Sequence, residues 1–129
     1  NLIYFLPKVK GICMTYPAIE VAKYIVTYCT EKKQPISNLK LQEILYFIWI
    51  DYYKLTGDKL YDDEIYAWPF GTVVPEVYYD YCCYAGLPIS LKIDSQITEE
   101  DRLILSKIVD KYVTFSARKL VNMTREKIA

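Results

Sequence analysis

The chain has no histidine. That removes the commonest general base near neutral pH, the commonest zinc ligand and every His-dependent triad. Glycine is scarce as well: its four glycines stand alone as helix or turn stops, and none builds a glycine-rich phosphate loop. Ser37, Ser90, Ser95, Ser106 and Ser116 have no base partner in sequence. Neither sign of charge dominates, with 16 basic and 16 acidic residues scattered along the chain. Phosphate binding is driven by a basic surplus, so nucleic acid is not an expected partner.

Cysteine is limited to Cys13, Cys29, Cys82 and Cys83. The adjacent pair lacks the spacing of a metal knuckle, and on a helix its side chains point about 100° apart. These cysteines read as free, half-buried thiols of a reducing, cytoplasmic compartment. The one carboxylate cluster, Asp62-Asp63-Glu64, lacks the alternate spacing of a calcium loop and has no second ligand group. It reads as a solvated turn. An enzyme would need a metal on those carboxylates or a nucleophilic thiol at Cys82 or Cys83, and neither constellation is complete. The expectation is a non-enzymatic protein with no metal and no cofactor.

What the chain does have is apolar surface. In 129 residues, 53% are hydrophobic and 14 are tyrosine, enough for one domain with a modest core. The organising stretch is residues 37–57. Ser37 can cap the first turn, Ile36 can staple against Leu41, and Gly57 can take the left-handed stop. Leu41, Ile44, Leu45, Ile48, Tyr52 and Leu55 share one face, and further apolar residues cover most of the rest. Only Lys40, Glu43, Asp51 and Lys54 form a polar strip. Charges recur too often for this helix to cross a bilayer, so no membrane role is expected. Phe47 falls in the middle of the polar strip, as a lone exposed aromatic or as part of a partner surface. Gln42 falls on the apolar side and is expected to be buried, its amide holding the irregular segment 64–74.

Residues 1–13 read as a leader or N-terminal extension, or alternatively as holding an N-terminal strand, Leu2 to Leu6; the domain proper is 14–129. A first helix opens at Thr15-Tyr16-Pro17 and runs to about Glu31. Pro69, Gly71 and Pro75 forbid a continuous helix after Gly57. Short extended pieces near Leu60-Tyr61 and Tyr66–Trp68 suggest a small hairpin. A third helix starts at Pro75 and ends at Gly86. Thr98 caps a fourth, with Asp101 at the reciprocal capping-box position and Leu103, Ile104, Ile108, Val109 and Tyr112 facing the core. Ser116 caps a last short helix, Ala117 to Met123. The fold class is mainly α: a small helical bundle around a buried central helix, with an irregular hairpin-like segment.

Aromatics crowd residues 66–84. Tyrosine and tryptophan dominate protein–protein hot spots, and the two prolines with Gly71 present them with little ordering cost. The expected partner-binding residues are Trp68, Phe70, Thr72, Glu76, Tyr79 and Asp80, with Phe47; Gln42, Gly71 and Pro75 are structural.

The stretch Ile36-Ser37-Asn38-Leu39-Lys40-Leu41-Gln42-Glu43-Ile44-Leu45-Tyr46 and the run from Glu64 through Trp68-Pro69-Phe70-Gly71 and Val73-Val74-Pro75-Glu76-Val77 to Tyr78 resemble the Panacea domain. This is the antitoxin SocA-like family, also called GepA-type phage-associated proteins. The resemblance covers about residues 14–124. It implies a small, mostly helical protein, common on prophages, without a catalytic site. It further implies a protein partner, namely a toxin encoded nearby that is neutralised by binding. Alternatives under the same resemblance are an adaptor delivering a toxin to a protease and a phage inhibitor of a host defence (CRISPR) nuclease. The chain departs from the family pattern at Thr72, where proline is common, and at Arg118 and Arg125, where tryptophan and histidine are frequent.

Overall fold

The computed structural model describes residues 15–128. The expected leader, residues 1–13, and Met14 lie outside the described residues. Among those described, the order is α1 (Ala18–Glu31), α2 (Asn38–Thr56), β1 (Tyr66–Trp68), β2 (Gly71–Val73), α3 (Pro75–Tyr81), α4 (Glu99–Val113) and α5 (Ala117–Ile128), with a 3-10 turn at Cys82–Tyr84. The fold is mainly α, as the periodicity indicates.

Helix α2 is the centre. It packs against α1, α3, α4, α5 and β2. Its ends follow the sequence signals: Lys40 N–H donates to Ser37 Oγ at 3.2 Å, and Gly57 sits at φ 78° with its N–H on Tyr53 O at 2.8 Å. Leu41, Ile44, Leu45, Ile48 and Tyr52 are buried. Burying each such side chain stabilises the fold by about 1.5–3 kcal/mol.

The polar strip of α2 is covered along most of its length, and only Lys54 at its end is exposed. Helices α4 and α5 pack over it. Phe47 is 1% exposed, its ring stacked on Tyr112 of α4 at a centroid distance of 4.6 Å. Both readings that put Phe47 at the surface are therefore corrected. Its neighbours on the strip are satisfied across the same contact: Lys40 Nζ donates to Val113 O at 2.7 Å, and the Tyr112 hydroxyl donates to Asp51 Oδ2 at 2.7 Å. Glu43 is fully buried. Conversely, Leu55 is exposed near the end of α2 and Leu103 is exposed on α4, where Asp101 and Leu105 turn inward instead.

Asp101 shows why. Its carboxylate accepts from the buried Tyr16 hydroxyl and from Tyr52 Oη at 2.8 Å. Thr98 Oγ1 caps α4 by accepting from Asp101 N–H at 3.2 Å, while Thr98 N–H donates to Tyr16 Oη. Asp101 thus ties α2 and the start of α1 to α4, beyond the capping role read for it.

The hairpin pairs β1 with β2 antiparallel, Tyr66 opposite Val73, Ala67 opposite Thr72 and Trp68 opposite Gly71. Leu60 and Tyr61 pair elsewhere: Tyr16 N–H donates to Leu60 O at 2.9 Å and Tyr16 bridges to Tyr61. Pro69 and Phe70 form the two-residue connection, and proline suits a turn because its φ is already set. Helix α3 stops at Tyr81, five residues before the expected Gly86, and α5 runs on to Ile128.

Candidate partner-binding surface

Two side chains of α2 hold the hairpin. Gln42 Oε1 accepts the Val74 N–H at 2.9 Å, and Glu43 Oε2 accepts the Thr72 N–H at 2.9 Å. Gln42 Nε2 in turn donates to Asn38 Oδ1 at 3.0 Å, and Asn38 Nδ2 donates to Tyr78 O at 3.1 Å. One buried chain of hydrogen bonds therefore fixes β2 and the start of α3 to the central helix. The irregular backbone is satisfied by these side chains because it has no helix or second sheet partner. Gly71 has φ 137°, and a Cβ there would overlap Glu43 Oε2. Glycine alone allows this approach. From α5, Arg125 donates to Pro69 O at 2.8 Å and closes the turn.

Burial pushes the Glu43 carboxyl above the ordinary glutamate range; the Thr72 N–H bond and the Arg125 charge oppose this. Among the described residues, Glu43 Oε1 and Thr72 Oγ1 are buried without a hydrogen-bond partner. Thr72 itself is 1% exposed, which corrects its placement on the partner surface: its backbone is consumed by Glu43 and its side chain lies inside.

The hairpin and α3, held in this way, carry a set of rings. Trp68 lies 5.8 Å from Phe70, 5.4 Å from Tyr78 and 6.2 Å from Tyr79, and Tyr78 lies 5.6 Å from Tyr79. Tyr79 is 64% exposed and Phe70 40% exposed, while Trp68 is half-buried between them. Glu76 and Asp80 stand on the exposed side of α3. The structure thus gathers Trp68, Phe70 and Tyr79 in one cluster beside Glu76 and Asp80, and leaves Phe47 and Thr72 inside. Sequence reasoning missed Glu43 and Arg125 as supports. Adjacency to Gln42 gave no signal for Glu43, because consecutive helix residues point about 100° apart.

The acidic run is structural in part. Asp63 Oδ1 accepts the Ala18 N–H at 3.0 Å, supplying a helix-start acceptor that Pro17 cannot. Asp62 accepts from Thr15 Oγ1 and lies 3.9 Å from Lys59 Nζ. Among the described residues no three His, Cys, Asp or Glu side chains are grouped to hold a metal. Burial pushes the Cys29 thiol up to about 11, whereas Cys82 and Cys83 are exposed rather than half-buried. Among the described residues, no helix is long and apolar enough to cross a membrane.

Residues 41–128 match the model of the family described as antitoxin SocA-like, Panacea domain, and the chain belongs to that family. The matched span holds most of α2, the hairpin and everything after it, including Gln42, Glu43, Gly71 and the aromatic cluster. Membership in an antitoxin-like family implies a protein partner in general terms. No curated protein and no solved structure matches the chain.

Proposed function

We propose that this protein is a non-enzymatic antitoxin that neutralises a protein toxin encoded beside it by binding that toxin directly in the cytoplasm. The observation that carries the reading is the partly exposed ring cluster shared by α3 and a hairpin that buried hydrogen bonds fix. A pre-organised aromatic surface loses little freedom on binding, and Trp and Tyr are the residues enriched at hot spots. The contact residues in this reading are Trp68, Phe70, Glu76, Tyr79 and Asp80, with Gly71 and Pro75 shaping the support. Family membership supplies the class of partner.

The test is co-expression with the product of the adjacent open reading frame. The expected result is relief of that product's toxicity and co-purification of the two chains in a fixed ratio. Toxicity unrelieved by this chain, with no complex formed, overturns the proposal.

A further inference from the structure

Outside the ring cluster, the hairpin borders a groove of about 460 Å³. Tyr46, Trp49, Ile65 and Tyr66 give it apolar and aromatic walls, and Asp63 and Glu64 are its carboxylates. We propose that this groove receives an arginine side chain presented by a protein partner. The inference rests on the partner-binding reading above and adds the chemistry of one partner residue.

Charge complementarity carries it. Lys59 pairs with Asp62, so among the described residues Asp63 and Glu64 face the groove with no basic partner. Asp63 uses Oδ1 on the Ala18 N–H, and Glu64 uses Oε2 on the Tyr66 hydroxyl at 2.9 Å. Their other oxygens accept no hydrogen bond among the described residues. The Trp49 indole is fixed by its N–H on Tyr61 O at 3.1 Å, and Tyr66 is steadied by Glu64. Aromatic faces attract a cation, and apolar walls suit the aliphatic stem of a long basic side chain. A guanidinium adds what an ammonium lacks: a flat face that stacks on a ring and a fork that matches a carboxylate.

The probe is the tripeptide Ac-Gly-Arg-Gly-amide, titrated into the isotope-labelled chain and followed by NMR, with lysine and norleucine tripeptides in parallel. The expected result is a saturable shift of the Trp49 indole N–H and of the amides at residues 63–67. Arginine should bind about two- to fivefold tighter than norleucine, the gain of a cation–π contact at an exposed site. Glu64→Gln, checked for an unchanged melting temperature, should weaken that preference, and an undiminished preference overturns the proposal. Equal binding of norleucine, equal binding of lysine, no shift, or shifts confined to Trp68 and Tyr79 each overturn the proposal. So do contacts between residues 1–14 and Trp49 before any peptide is added, because the groove is then filled by the chain itself. No toxin is present in this titration, so its failure leaves the ring-cluster reading standing. Failure of toxin rescue, in turn, does not alter the peptide result.

Discussion

Glu43 Oε2 accepts the Thr72 N–H at 2.9 Å, and Gly71 beside it comes so close that any Cβ would overlap the same oxygen. The hairpin and the central helix meet at this point through the Glu43 carboxylate, with no side chain on the hairpin at Gly71. Gly71→Ala is expected to cost about 1–3 kcal/mol, because it adds a methyl in the left-handed half of backbone space and displaces the carboxylate. Urea denaturation measures this. A midpoint equal to that of the parent chain would show that the contact is easily relaxed.

Glu43 also predicts a pH dependence. Burial raises its folded value above that of the unfolded chain. The folded state therefore favours the proton, and the stability this contributes is fully present below the unfolded glutamate value. It is lost as pH rises through the raised folded value. Glu43→Gln keeps an acceptor for Thr72 N–H and removes the charge. Relative to this variant, the parent chain should lose stability as pH rises from about 4 to 8. Parallel urea midpoints across that range would rule the effect out.

Gln42→Leu removes the acceptor of Val74 N–H and the donor to Asn38 together. The side chain is 1% exposed, so water cannot replace it without a rearrangement. The expected cost is about 1–3 kcal/mol, that of a buried group left unpaired. An unchanged melting temperature would reject the role assigned to Gln42.

Much of the fold was legible because its signals are local. Ser37 and Gly57 mark the ends of α2, Thr98 starts α4, and Pro69 with Gly71 breaks the chain where the hairpin forms. The polar strip of α2 was not legible. A helical wheel shows that Lys40, Glu43, Phe47 and Asp51 share a side, but not what covers it. The covering groups are Val113 and Tyr112 of α4 and the hairpin, joined by hydrogen bonds spanning 29 to 73 residues. A strip of charges is solvated or satisfied internally depending on such distant partners. The same cause hid Thr72, which lies two residues from the exposed Phe70 ring but whose backbone is claimed by α2.

Two aromatic residues separate stability from binding. Phe47→Ala deletes a buried ring stacked on Tyr112 and should destabilise by about 3–5 kcal/mol. Tyr79 is 64% exposed, its ring centroid 6.2 Å from that of Trp68 and 5.6 Å from that of Tyr78. Tyr79→Ala and Glu76→Arg should therefore each stay within about 0.5 kcal/mol of the parent in stability. Under the proposed function each should weaken toxin binding by more than about 1–2 kcal/mol, as hot-spot residues do. Melting curves read the first quantity and calorimetry on the purified pair reads the second. The contrast matters because a binding loss in a destabilised variant says nothing about contact, whereas a loss at full stability locates the surface. Should both variants bind as tightly as the parent, the ring cluster is not the interface. The exposed face of α5, which carries Arg118 and Arg125, is then the next surface to vary.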